Sequence, residues 1–276
     1  MNGEEVSRIH GKHALEKPVL IVAWEEDASN LGVRTVDYLI EGLGCREFGE
    51  ILPEGFFPMA GVNVVDDVAQ FPESKFYISD ERNLVIFRSN IPRTGWHGFL
   101  NAVLDVAGHD CNVSEIYTLG AMISSAAHTA PRLLISIVNQ KEMKEELEPF
   151  NIMTGTDYEN PPGQKPTLSS YLVWLARQRN IRGVNLWVPV PYYLVSLDDP
   201  RACKRLVYFF NSKFDLGVDF SALDAQISQQ NSSIADLFQR SPEIESLVRR
   251  LETGEGLDGG ESEKLAREMA EALKKG

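Results

Sequence analysis

Through about the first 215 residues, short apolar β-branched runs alternate with longer segments whose apolar residues recur every three to four positions. This alternation narrows the choice of fold more than any other feature. Pro18 introduces Val19-Leu20-Ile21-Val22-Ala23-Trp24, a continuous apolar run of the kind a strand covered on both faces requires. Ser29 or Asn30 can then cap a helix in which Val33, Val36, Leu39, Ile40 and Leu43 share a face, with Gly44 as terminator. Strand candidates follow at Glu47 to Ile51, Gly61 to Val65, Lys75 to Ser79 and Leu84 to Phe87. Trp96, Phe99, Leu100, Val103 and Leu104 predict an amphipathic helix ending at Gly108. Further strands are expected at Glu115 to Ile123, Leu133 to Val138 and Val184 to Val190, with a helix through Leu168, Leu172 and Leu175. Asp199-Pro200 opens another helix, with proline at its first position and a carboxylate at the positive end of the dipole. The pattern predicts an α/β sandwich on a mostly parallel sheet.

After Asp215 the pattern thins. Narrow stripes (Phe220, Leu223, Ile227; Ile244, Leu247, Val248, Leu251; Leu265, Met269, Leu273) predict short helices, and Thr253 to Gly260 reads as a flexible linker. Such helices are marginal alone, so they must pack on the main domain or on a partner subunit. The expected organisation is a flexible N-terminal segment over 1–17, an α/β core over 18–230 and a helical extension over 231–276. Asn151 to Pro166, rich in polar residues, Pro and Gly, is expected to be a surface loop or lid.

The chain has 276 residues, with 27 Lys and Arg against 40 Asp and Glu, a formal charge of −13. That field repels phosphate backbones and no local basic patch offsets it, which argues against nucleic acid as a partner. Cys45, Cys111 and Cys203 are far apart and form no CxxC pair, so neither a zinc ribbon nor a disulfide framework is expected, and a reducing cytoplasm is the natural setting. The apolar runs at Val19 to Trp24 and Leu133 to Val138 fall far short of the roughly 20 residues a membrane helix needs. Met1 to His10 carries no apolar signal stretch. No membrane association is expected.

Catalytic patterns are few. The phosphate loop GxxxxGK[ST], the dinucleotide fingerprint GxGxxG and the GxSxG elbow are absent, and no cofactor is expected. His10 and His13 have HxxH spacing without a nearby third ligand and read as solvated histidines, so no metal site is expected. The loop Glu25-Glu26-Asp27 follows the first strand, where α/β proteins place ligand sites. It can hold a metal or act as acid and base, or simply complement the next helix dipole. His128-Thr129-Ala130-Pro131-Arg132 combines an imidazole, a hydroxyl and a guanidinium. With Asp27 it can bind a carboxylate or phosphate, or Arg132 can pair with a structural acid. Ser124 and Ser125 are nucleophiles only if His128 reaches one of them. Trp187-Val188-Pro189-Val190-Pro191-Tyr192-Tyr193 ends a strand with two prolines and two aromatics, which suit packing or an interface better than catalysis.

Four segments occur in an order that resembles the prokaryotic proteasome assembly chaperone 2 family: the apolar strand running through Trp24 to Gly32, the Gly120 strand end followed by Thr129 to Arg132, Leu186 to Leu194, and the Asp199-Pro200 helix start. The resemblance covers Pro18 to Gln230. Where the family usually carries Pro-Gly before the tryptophan this chain has Val22-Ala23, and the glycine-rich helix entry is Pro166-Thr167-Leu168-Ser169-Ser170. The resemblance implies a three-layer α/β/α sandwich, phosphorylase/hydrolase-like, usually oligomeric. It also implies a non-catalytic role in proteasome assembly, as in eukaryotic relatives. Some archaeal relatives dock through a C-terminal hydrophobic-tyrosine tail; the residues Ala272-Leu273-Lys274-Lys275-Gly276 do not match it.

The expected function is therefore a non-catalytic interaction or assembly factor that forms a homo-oligomer and handles a protein client. The alternative is a small-molecule enzyme or ligand-binding protein, hydrolase-like or resembling an ATP-dependent carboxylate-amine ligase. Its pocket would lie at the carboxyl edge of the sheet and comprise Trp24, Asp27, Asn30, His128, Thr129, Arg132 and Tyr192.

Overall fold

The longest apolar run becomes the middle of a sheet. In the computed structural model of the chain, which describes residues 6–57, 63–157 and 163–274 apart from 12, 14, 26 and 165, Val19–Trp24 is buried at every position. Val19, Ile21 and Ala23 enter one hydrophobic core, and Leu20, Val22 and Trp24 enter a second on the opposite face. Burial on both faces explains why the run shows no polar alternation.

In chain order the first half comprises β1 (Ser7–Ile9), β2 (Val19–Trp24), α1 (Leu31–Gly42), β3 (Arg46–Ile51), β4 (Asn63–Val65), β5 (Val68–Gln70), β6 (Ser74–Ser79), β7 (Leu84–Ser89) and α2 (Trp96–Asp105). The second half comprises β8 (Glu115–Ser124), β9 (Leu134–Val138), α3 (Met143–Leu147), β10 (Ile152–Met153), α4 (Leu168–Gln178), β11 (Arg182–Pro191), α5 (Pro200–Phe214), α6 (Ser221–Arg240), α7 (Pro242–Glu252) and α8 (Gly259–Leu273). Nine strands form one sheet in the order β1-β3-β6-β7-β2-β8-β11-β9-β10, and β4 and β5 make a separate hairpin.

The central strands β7, β2, β8 and β11 are mutually parallel, with antiparallel pairings toward both edges. The flank has a simple cause: the chain passes from Ser79 to Leu84 through a tight turn, which can only make a hairpin, because a parallel crossover needs a dozen residues or more. The result is a mixed, mostly parallel α/β sheet, as the alternating pattern predicts. α2 and α4 cover one face; α1 and α5 cover the other, with α6, α7 and α8 packed outside α5 and against the turn at 192–194.

Several local expectations need correction. Residues 7–9, expected in a flexible segment, pair with β3 as an edge strand. Gly49 allows this approach at a bulge, since a Cβ there would lie 2.8 Å from the Arg8 carbonyl oxygen. The boundary expected between 230 and 231 falls inside α6, which runs unbroken through it. Ile234, Leu237, Ile244, Leu247, Leu265 and Met269 are buried in the core that also holds Ile21, so these stripes are satisfied within the chain. The expected flexible linker is held: Arg250 binds the carboxylates of Glu255 and Glu261 and the Gly256 carbonyl, while Asp258 and Glu261 form a capping box at the start of α8. The helix expected to end at Gly108 continues as a π turn over Val106–Asp110. Gly61 and Val62 of one expected strand, Glu26 of the acidic loop, residues 158–162 and 165 of the expected lid, and Lys275 and Gly276 lie outside the described residues. Among the described residues, no helix is long and apolar enough to cross a membrane.

Candidate functional site

The chain leaving β2 turns toward β3 on one side and the chain leaving β8 turns toward β9 on the other, so their loops part at the carboxyl edge of the sheet. Such a switch point is where α/β folds form crevices. Two successive left-handed residues, Ser29 (φ 60°) and Asn30 (φ 46°), shape the loop after β2. Non-glycine residues pay for this conformation. Here the Ser29 peptide N–H donates to the Val195 carbonyl at 2.7 Å, and the Ser29 hydroxyl donates to the Leu194 carbonyl at 2.8 Å. Asp27 accepts from the Gly32 N–H at 3.0 Å. Burial pushes its carboxyl up to about 6, against the opposing pull of peptide N–H groups, Gly32 first.

The candidate residues do not converge. Trp24 lies on the opposite face, its indole donating to Ser169 Oγ at 2.9 Å and its ring set edge-on to Phe87. His128 is buried; its N–H donates to the Tyr193 hydroxyl at 2.6 Å, and its Nδ1 lies 2.9 Å from the same oxygen. Desolvation, reinforced by the charges of Arg132 and Arg201, pushes this imidazole down to about 4. Burial likewise raises the Tyr193 phenol. Arg132 Nε donates to Asp199 Oδ2 at 2.8 Å in an ion pair whose side chains are 5% and 0% exposed. The other Asp199 oxygen accepts from the Ala202 N–H and caps α5. Thr129 donates to Glu252 at 2.7 Å, and Tyr192 stands edge-on to Tyr193 beside Ser262 of α8.

His128, Thr129, Arg132 and Tyr192 thus form a seam that ties the sheet end to α5, α7 and α8. Asp27 makes no hydrogen bond or ion pair to any of them among the described residues. Of the two readings of Arg132, pairing with a structural acid is the one the geometry displays. Ser124 Oγ accepts from the Ala126 N–H, and His128 bonds Tyr193 instead of either serine. His13 is not solvated: its side chain is 2% exposed, edge-on to Phe48, with Nδ1 3.2 Å from Arg46. Among the described residues, no group of three or more His, Cys, Asp or Glu side chains is placed to hold a metal ion.

A cleft of about 550 Å³ that sequence reasoning missed opens beside Asn30, between α1 and the starts of α5 and α6. Arg88 reaches Glu25 at 3.0 Å and Asp37 at 3.0 Å, Asn90 donates to Glu25, and Arg34 pairs with Asp198. Burial raises the Asp37 carboxyl despite the attraction of Arg88. The signal was present in Arg34, Asp37, Tyr38 and Glu41, which share the outer face of α1 at helical spacing. Charges on such a face read as solvated until α5 and α6 are seen to wall them in. A second feature is an apolar rim over the β8-β11-β9-β10 half of the sheet: Met122 and Ile123 at the end of β8, Leu133 before β9 and Met153 on the edge strand β10 are all exposed.

The fold recurs in solved structures. The Pyrococcus furiosus protein PbaB, an archaeal proteasome activator, superposes with a TM-score of 0.68 at 18% identity, covering 83% of this chain and 97% of its own. A Mycobacterium tuberculosis proteasome-assembly chaperone homologue gives 0.66 at 20% identity, covering 79% and 94%. A second Mycobacterium tuberculosis protein, of unknown function, gives 0.75 at 18% identity over 98% of both chains. No curated protein matches the chain. Gly120 and Trp187, both in segments that carry the sequence resemblance, are register partners on β8 and β11, and a Cβ at 120 would lie 3.0 Å from the indole. The PAC2 family model matches residues 21–237, from within β2 to within α6, and takes in that pair, the switch-point loop and the buried Arg132–Asp199 bridge; the chain belongs to the PAC2 family.

Proposed function

We propose that this chain is a non-catalytic assembly factor that binds a protein client and works as a homo-oligomer in the cytoplasm. The observation that carries the reading is a division of labour among side chains. His128, Thr129 and Arg132, which could have formed a catalytic group, are engaged in structural bonds, whereas Ile123 stays 64% exposed and Met153 50% exposed on the rim. Exposed apolar residues on one half of a sheet suit an association surface. The similar structures described as a proteasome activator and a proteasome-assembly chaperone homologue support proteasome components as the class of client. The burial of the C-terminal stripes moves the expected self-association away from α6 to α8 and onto the rim.

Native mass spectrometry of the full chain, purified without added ligand, tests this. The expected spectrum shows an oligomer without a retained small mass, converted to monomer by Ile123→Glu with Met153→Glu at unchanged circular dichroism. A wild-type monomer carrying a stoichiometric small-molecule adduct would overturn it. That result would favour the ligand-binding alternative, which the cleft beside Asn30 supports.

A further inference from the structure

The cleft beside Asn30 is the middle of a longer feature. A cleft of about 760 Å³ between the β4–β5 hairpin and the sheet shares Glu25 and Arg88 with it. A third, of about 380 Å³ along α6, shares Asp198, Pro200 and Gln226 with it. The three lie side by side along the carboxyl edge of the sheet, each sharing wall residues with the next. A line of adjacent clefts along a sheet edge matches an extended polypeptide.

The chemistry changes along the line. At the hairpin end an apolar group, Pro53, Phe57 and Ile91 beside Val68 (61% exposed) and Phe71 (57% exposed), shares the walls with Glu50, Glu73, Asn90 and Arg93. In the middle, five carboxylates (Glu25, Asp37, Glu41, Asp198 and Asp199) face two guanidiniums, Arg34 and Arg88. Arg34 is paired with Asp198, and Arg88 is shared between Glu25 and Asp37, while Arg132 holds Asp199 from behind. Glu41 makes no ion pair among the described residues, so the middle retains negative charge. At the α6 end Gln226, Gln230 and Ser233 alternate with Leu197 and Leu273, and Lys274 closes the line with a positive charge.

We propose that this groove holds an extended segment of a partner protein in which an apolar residue, seated against Phe71, precedes or follows a lysine or arginine seated near Glu41 and Asp198. Charge complementarity selects the cation, and the apolar end gives the site a component that salt does not screen. The inference rests on the protein-binding reading above and supplies the chemistry of the bound partner segment.

The test uses the full chain and two fluorescein-labelled ten-residue peptides, one alternating valine with arginine and the other valine with glutamate, followed by fluorescence anisotropy. The arginine peptide is expected to bind and the glutamate peptide not to. Glu41→Lys and Phe71→Ser, both at exposed positions, are each expected to weaken binding at least tenfold. Glu271→Lys, the same charge change on the exposed face of α8, is expected to leave it within twofold. Equal losses from Glu41→Lys and Glu271→Lys would reduce the effect to net charge and overturn the groove, as would indifference to Phe71→Ser or binding of both peptides alike. A photoreactive phenylalanine analogue at position 71 gives a second reading in cells of the source organism. Cross-linking to a basic segment of another protein supports the proposal; cross-linking to a second copy of this chain overturns it. If the rim variants abolish oligomer and client capture while Glu41→Lys and Phe71→Ser leave both intact, the groove falls and the assembly-factor reading stands.

Discussion

At Asp27 burial lifts the carboxyl to about 6 from an ordinary 3.8, so between those values the folded chain keeps a proton that the unfolded chain has lost. Stability therefore falls as pH rises through this window, by at most about 3 kcal/mol. Asp27→Asn keeps an oxygen for the Gly32 N–H and removes the buried charge. Denaturant unfolding at pH 7 should show it about 1–3 kcal/mol more stable than the parent, with the difference vanishing below about pH 4. His128 has the opposite sign. Its imidazole is held at about 4 against an ordinary 6.5, so as pH falls through that range the unfolded chain takes a proton first and stability is lost. In His128→Gln the fall of unfolding midpoint between about pH 6.5 and 4 should flatten; an undiminished fall would place its origin elsewhere. These residue types stood out in the sequence, but their states did not. Tyr193, the partner that fixes His128, is 65 residues away.

Among the elements, α5 is tied at its start to the connection between β8 and β9 by a buried bridge. Asp199 caps its first turn and receives Arg132 from the connection between β8 and β9. Removing one partner strands a buried charge, so Asp199→Asn, which keeps an acceptor for the cap, should cost about 3–5 kcal/mol in denaturant unfolding. Arg132→Met added to it should recover part of that loss, because the double variant buries no unpaired charge; a double variant worse than the sum of the single losses would refute this account. The Asp199-Pro200 helix start was legible because capping is local chemistry. The bridge was legible only as one of two readings of Arg132, since spacing cannot say which acid a guanidinium meets. The edge strand at Ser7–Ile9 and the held turn at 253–260 were misread for the same reason: short polar segments acquire order from what they pair with, here Arg46–Ile51 and Arg250.

For the whole molecule, the C-terminal helices continue the core and the chain carries a charge of −13. A chain lacking residues 241–276 should bind a hydrophobic dye and melt earlier, because Ile234 and Leu237 lose the cover of α7 and α8. An unchanged melting temperature would show that the extension does not support the core. Raising sodium chloride from 0.05 to 0.5 M should lift the melting temperature of the full chain by roughly 2–4 °C, as screening relieves its self-repulsion. Periodicity and apolar runs were enough to establish the α/β class, the central strands and the stripes of the terminal helices, because each depends on neighbours within a turn or a strand and on water outside. The course of α6 through residue 230, the seam around His128 and the groove across the sheet edge came only with the folded chain. They are made of contacts between segments far apart in sequence, such as Thr129 with Glu252 and Arg34 with Asp198, and a charge or hydroxyl carries no local mark of the partner that folding will bring to it.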